Sequence, residues 1–187
     1  SLKNYSPCDL PTEGFNLLYI GRMVGYKGVD VFLEALSNNQ TFTKANFVGT
    51  GPELERFKKL TSKYKLNDKV FWLGEISEKQ KINLLKDSHV LCLPSISEAE
   101  AYGMVQIEAF ASKRAVISTN LKSGVPWVNQ NEVSGLVVSP NSPSELSQAI
   151  TRLGSDKSLL EKLSTGALER SKKFSIEVMG ENCLDAI

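Results

Sequence analysis

Apolar residues along this chain follow two alternating rhythms. Short apolar runs at 15–20, 45–48, 69–73, 90–93, 115–118 and 136–138 read as strands. Between them the spacing changes to that of a helix face. Val29, Phe32, Leu33 and Leu36 repeat at i, i+3, i+4 and i+7 and predict a helix over 28–36. Leu54, Phe57, Thr61 and Tyr64 form the inner face of a second helix. Pro52 stands in its first turn, where the missing N–H has no helical partner to lose. Ser77 is an N-cap for a third helix reaching residue 85 and buried through Ile82 and Leu85. A fourth helix starts at 105–112. After Pro143, Leu146, Ile150 and Leu153 mark a fifth, Leu160, Leu163 and Ala167 a sixth, and 176–187 a last. Strands and helices in alternation predict an α/β domain, a Rossmann-like parallel sheet flanked by helices. The polar start, 1–14, holds two prolines and reads as a linker or the edge of a cut chain, which leaves 15–187 as the domain.

In sheets of this kind ligands bind beyond the carboxyl ends of the strands. Arg22, Gly49, Gly74, Glu100 and Gly103 each follow an expected strand, which gathers them at one edge. The stretch 94–111, PSISEAEAYGMVQIEAFA, combines an acidic loop, a glycine and a helix start. N–H groups in a first helical turn lack internal partners and attract anions, so Met104 and Val105 would offer theirs to phosphate, and Gly103 would let the backbone approach. Carboxylates fit beside a phosphate only where they accept from neutral hydroxyls. A ligand with both phosphates and hydroxyls is a nucleotide sugar. Arg22 and Lys27, two cations flanking glycines in the loop after the first strand, suit its diphosphate.

Composition narrows the picture. The 187 residues suit one domain, and 41% hydrophobic content supports a core without metal or disulfides. A net charge of +1 gives no argument for nucleic acid or a membrane surface. Cys8, Cys92 and Cys183 are scattered, so a reduced, cytoplasmic compartment is the expectation. His89 reads as a core histidine. A dinucleotide fingerprint after residue 49 fails, because Leu54 stands in the third glycine's place. No Asp-x-Asp occurs, which disfavours metal-dependent sugar transfer and leaves no expected metal or cofactor.

Several motifs in order resemble the retaining, GT-B glycosyltransferases of family 4, the glycosyl transferases group 1, in their C-terminal donor-binding domain. Glu100 and Glu108, with seven residues between them and framed by Pro94-Ser95 and Ala109-Phe110-Ala111, resemble the family's Glu-seven-Glu motif. Gly21-Arg22 through Lys27-Gly28 is similar to its G-R-x-x-x-x-K-G. Gly49-Thr50-Gly51-Pro52 is similar to G-x-G-P, Phe71-Trp72-Leu73-Gly74 to F-x-G, and Gly135-Leu136-Val137-Val138 to G-L-L-V. The likeness runs from about residue 17 to 153. Lys113 and Ala115 depart from the family's usual Gly and Pro, which puts the turn after the fourth helix in doubt. Tyr102 stands where Phe is usual, keeping the ring and gaining a hydroxyl, and reads as packing; Glu98 reads as surface or sugar rim.

The resemblance implies a function. The donor would be a UDP- or GDP-sugar, and transfer would retain configuration without metal. Arg22 and Lys27 would neutralise the departing diphosphate, Glu108 would accept from the ribose hydroxyls, and Glu100 would fix the donor sugar. Gly49, Gly51, Tyr102, Gly103, Met104 and Val105 would complete the donor site, with backbone at Ile76 reaching the base. The acceptor, a glycan or lipid-linked saccharide, would be held by an N-terminal domain absent from this chain. Membrane association would come only through that half, and the chain alone would be inactive in transfer. The 126–130 run, PWVNQ, is similar to that of bacterial O-antigen and polysaccharide mannosyl- or rhamnosyltransferases. Two other readings stay open: a non-catalytic nucleotide-binding module, and a glycoside hydrolase using Glu100 and Glu108 as its carboxylate pair.

Overall fold

The computed structural model describes residues 2–174. Its strands are β1 (Asn16–Ile20), β2 (Lys44–Val48), β3 (Val70–Gly74), β4 (Val90–Leu93), β5 (Ala115–Thr119) and β6 (Gly135–Val138). They form one parallel sheet in the order β3-β2-β1-β4-β5-β6. The helices are α1 (Val29–Ser37), α2 (Leu54–Lys63), α3 (Glu78–Lys86), α4 (Val105–Ala111), α5 (Val125–Val128), α6 (Pro143–Ser155) and α7 (Lys157–Ser171). Each expected strand forms within two residues of its expected ends. The helix α5 was not expected, since four residues are too few to show a helical period; the helix expected over 176–187 lies outside the described residues. Among the described residues no helix is long and apolar enough to cross a membrane.

Strands buried on both faces need continuous apolar runs, and β4 and β5 are buried at every position. Alternate residues divide the core. Leu17, Tyr19, Phe47, Cys92 and Ile117 pack against Phe32 of α1, Phe57 of α2 and Ile150 of α6. Leu18, Leu91 and Val116 pack on the other face against Leu85 of α3 and Phe110 of α4. Phe47 sits among aromatic neighbours, with ring centroids 5.5 Å from Tyr19, 5.2 Å from Phe32 and 4.7 Å from Trp72. Burying a ring of that size stabilises by roughly 2–3 kcal/mol.

The polar start behaves differently from the linker its composition suggests. Tyr5 is buried in the second core cluster. The fully buried Arg114 donates to the carbonyls of Cys8, Asp9, Leu85 and Lys86, each at 2.9 Å, strapping the start of the chain to the end of α3. Backbone carbonyls that satisfy a buried guanidinium make this stretch part of the domain, although it has few apolar residues of its own. His89 ties down the same stretch. Its Nδ1 accepts from the Asn16 N–H at 3.0 Å, which leaves Nε2–H to donate to Pro11 O at 3.1 Å. Burial pulls its pKa below the ordinary histidine value, as expected of a neutral core histidine.

Candidate functional site

Strand order reverses at β1. The chain builds outward through β2 and β3, then returns to place β4 on the other side of β1. The loops after β1 and β4 therefore part above adjacent strands and leave a crevice between them. Backbone contacts tie the loop after β1 to the loop after β4 on one side and to the loop after β2 on the other. Ile96 N–H donates to Tyr26 O at 2.8 Å, and Met23 N–H to Thr50 O at 2.9 Å. Two glycines permit the approach. Gly28 has φ +66°, and a Cβ there would lie 2.0 Å from Pro94 O; Gly49 has φ +124°, and a Cβ there would lie 2.0 Å from Gly21 O. Any other residue would force the backbones apart.

Two charged centres stand on this frame. In the first, Glu100 is buried, 7% exposed. Its Oε2 accepts from Ser95 Oγ at 2.8 Å and pairs with the ammonium of Lys27. Ser95 is held in turn, its carbonyl accepting from Thr119 Oγ1. Tyr19 OH donates to Arg22 O at 3.0 Å and so anchors the loop after β1 from within the core. Burial, and then the charge of Glu100, push its phenol pKa up, so it stays a donor. In the second centre, Lys81 Nζ lies 2.8 Å from Glu108 Oε1 and 3.0 Å from Glu78 Oε2. Tyr5 OH donates to Glu78 Oε1.

A cavity of about 640 Å³ opens beyond the ends of β1, β2 and β3, and its lining includes Arg22, Gly49, Gly51, Ile76 and Lys81. Arg22 is exposed, and among the described residues its guanidinium has no partner. Ile76 is partly buried against the second core cluster as it lines the wall. Glu108 adjoins the cavity through Lys81. Lys27 and Glu100 lie outside its lining, in the loops after β1 and β4. Val105 packs into the core, whereas Tyr102 and Met104 are 53% and 66% exposed. The ring of Tyr102 rests on Gly124, where a Cβ would lie 2.4 Å from Cδ1. Glu98 is exposed.

Sequence reasoning gave no role to Lys81, Ser95 or Tyr5. Lys81 belongs to a helix rich in charge and resembles a solvated surface lysine. Its partner Glu108 is 27 residues further along the chain, so no local spacing could pair them. Ser95 lies inside the Glu-seven-Glu frame, but its bond to Glu100 depends on how the loop folds back.

A parallel α/β layer with its crevice at the reversal of strand order is the architecture of a Rossmann-like domain, here the C-terminal half of a GT-B fold. The C-terminal domain of a glycosyl transferase group 1 family protein (LpcC) from Francisella tularensis superposes with a TM-score of 0.81, covering 94% of this chain and 98% of that one at 22% identity, which shows the fold. A glycosyltransferase from Rickettsia africae superposes at 0.83 with 30% identity, covering 94% of this chain and 48% of its own. The D-rhamnosyltransferase WbpZ of Pseudomonas aeruginosa is 29% identical over 157 residues, which is 84% of this chain and 40% of that protein. The model of the family described as glycosyl transferases group 1 matches residues 8–170, and the chain belongs to that family. It spans less than half the length of WbpZ and of the Rickettsia chain.

Proposed function

We propose that this domain binds a nucleoside diphosphate sugar, a UDP- or GDP-sugar, and supports metal-independent, retaining transfer of the sugar to a glycan or lipid-linked acceptor. The setting we propose is bacterial surface polysaccharide synthesis at the cytoplasmic side, in keeping with a rhamnosyltransferase among the similar proteins. One observation supports the reading above the others. At the carboxyl edge of the sheet stand two carboxylates, each paired with its own lysine, and beside them a cavity lined by Lys81 and by Arg22, whose guanidinium has no partner among the described residues.

The chemistry follows from which oxygens are occupied. Glu108 uses Oε1 on Lys81, which leaves Oε2 for ribose hydroxyls. Glu100 uses Oε2 on Lys27 and Ser95, which leaves Oε1 for hydroxyls of the donor sugar. The diphosphate then spans from Lys27 toward Arg22, with the N–H groups of Met104 and Val105 at its side. As the sugar leaves, negative charge builds on the diphosphate. Fixed cations stabilise that charge without reorganising, and one such contact is worth about 3 kcal/mol in rate.

Calorimetry tests the assignment. Glu108→Ala is expected to weaken nucleoside diphosphate and full donor alike, by about tenfold or more for a lost charged hydrogen bond. Glu100→Ala is expected to weaken mainly the sugar-bearing donor. Equal losses for both ligands in Glu100→Ala would contradict the division of roles.

A further inference from the structure

Lys81 is fixed from three sides. Its ammonium lies 2.8 Å from Glu108 Oε1, 3.0 Å from Glu78 Oε2 and 5.5 Å from the centroid of the Tyr5 ring. Tyr5 comes from the start of the chain and donates its hydroxyl to Glu78, closing the group from behind. The helix that carries Lys81 is itself pinned at the cavity wall. Ser77 Oγ accepts from Gln80 N–H, and the Gln80 side chain accepts from Ser77 N–H at 2.8 Å. The lysine side chain is 18% exposed and that of Glu108 23%, so the pair is largely sheltered from water.

A glutamate carboxyl group turns freely about its last bond, because that torsion has no sharp minimum. An acceptor that must meet two neighbouring hydroxyls needs that rotation stopped. With Lys81 on Oε1, the plane of the Glu108 carboxylate is set and Oε2 is left for a ligand. Without the ammonium, Glu78 and Glu108 would face one another across the same space as like charges. Burial alone would lower the Lys81 pKa, but its bonds to Glu108, Tyr5 and Glu78 more than offset this and raise it, so the cation persists.

We propose that Lys81 is a positioning residue for the nucleotide, holding Glu108 in the one orientation that binds a ribose cis-diol, with Tyr5 and Glu78 as its backing. The proposal rests on the reading of this cleft as a nucleotide site. It separates Lys81 from an ordinary surface pair, whose removal would change stability slightly and binding not at all.

The test is discrimination between a ribose and a 2′-deoxyribose. UDP and GDP are titrated into the full chain, each beside its 2′-deoxy counterpart, and the ratio of dissociation constants is read for whichever base binds. The wild-type protein is expected to prefer the ribonucleotide by about tenfold or more, as a charge-assisted hydrogen bond implies. Lys81→Met is expected to bring the ratio close to one in a chain that still folds, with a lower melting temperature from the bared Glu78 and Glu108, and Lys81→Arg to keep most of the ratio. Lys81→Met at the wild-type ratio, or Lys81→Arg falling as far as Lys81→Met, overturns the proposal. Glu108→Ala separates the two levels. If it abolishes the ratio while Lys81→Met retains it, the nucleotide site stands and the positioning role fails. If Glu108→Ala retains the ratio, or neither diphosphate binds, the site reading fails and the proposal with it.

Discussion

Arg22 and Lys27 look equivalent in the sequence, two cations in one glycine-rich loop. The fold makes them unequal. Lys27 is neutralised by Glu100, whereas the Arg22 guanidinium has no partner among the described residues. Arg22 should therefore supply most of the long-range attraction for a diphosphate. We predict that Arg22→Ala weakens nucleoside diphosphate binding and flattens its dependence on salt, while the double variant Lys27→Met, Glu100→Gln, which removes a neutral pair, loses affinity with the salt dependence largely kept. Titrations across ionic strengths that shrink the screening length below ~8 Å check this. Equal salt slopes for the two variants would count against it. His89 yields a second expectation at this scale. Its folded pKa is depressed, so near and below the ordinary value of 6.5 the unfolded chain takes up a proton that the native state refuses. The stability this gives is fully present above that value and is lost as pH falls toward the folded pKa. Melting temperature should decline over that window in the wild type and less steeply in His89→Gln. Residues tied to strand ends, such as Arg22, Gly49 and Glu100, are legible in the sequence, because an apolar run followed by a polar or glycine-rich loop marks the place where each strand stops. Lys81, Ser95 and Arg114 are not, because their partners are distant in sequence and polar contacts leave no periodic trace.

The elements are legible in proportion to how one-sided their burial is. The helix α1 buries Val29, Phe32, Leu33 and Leu36, the four residues whose spacing predicts it. The edge strand β3 exposes Phe71 and Leu73, and its sequence still reads as a strand because its apolar residues are continuous. The turn after α4, where Lys113 stands in place of the glycine expected from the motif, has a left-handed residue. Lys113 itself adopts that backbone, at φ 58°, and its side chain pairs with Glu161. A lysine in that conformation costs roughly 1–2 kcal/mol in strain. The helix α3 gives the prediction for this scale. Its Ser77–Gln80 capping box is half visible in the sequence, as the expected Ser77 cap. Replacing Ser77 by alanine should cost about 1 kcal/mol in chemical denaturation. No loss of stability would mean that the cap is idle.

For the whole molecule the governing fact is the strand order, which sets the crevice between the loops after β1 and β4. Alternating strands and helices announce the sheet and its ligand edge, but not the reversal point, because pairing order depends on contacts between distant segments. Arg22, Tyr102 and Met104 are exposed along that edge, so a donor held there meets water on one side. Transfer needs an acceptor held in line and water kept away, and positioning alone supplies ~7–11 kcal/mol of barrier lowering. By itself this chain should bind a donor without forming glycoside. The cations at the site are side chains, so affinity should survive a chelator. The measurement that tests the account most directly is calorimetric titration of the chain with UDP, GDP, their sugars and a plain oligosaccharide. The account predicts saturable, one-to-one binding of one nucleoside diphosphate and its sugar, unchanged in a chelator and weakened by about tenfold or more in Glu108→Ala. Binding of the oligosaccharide with no response to either diphosphate would contradict it.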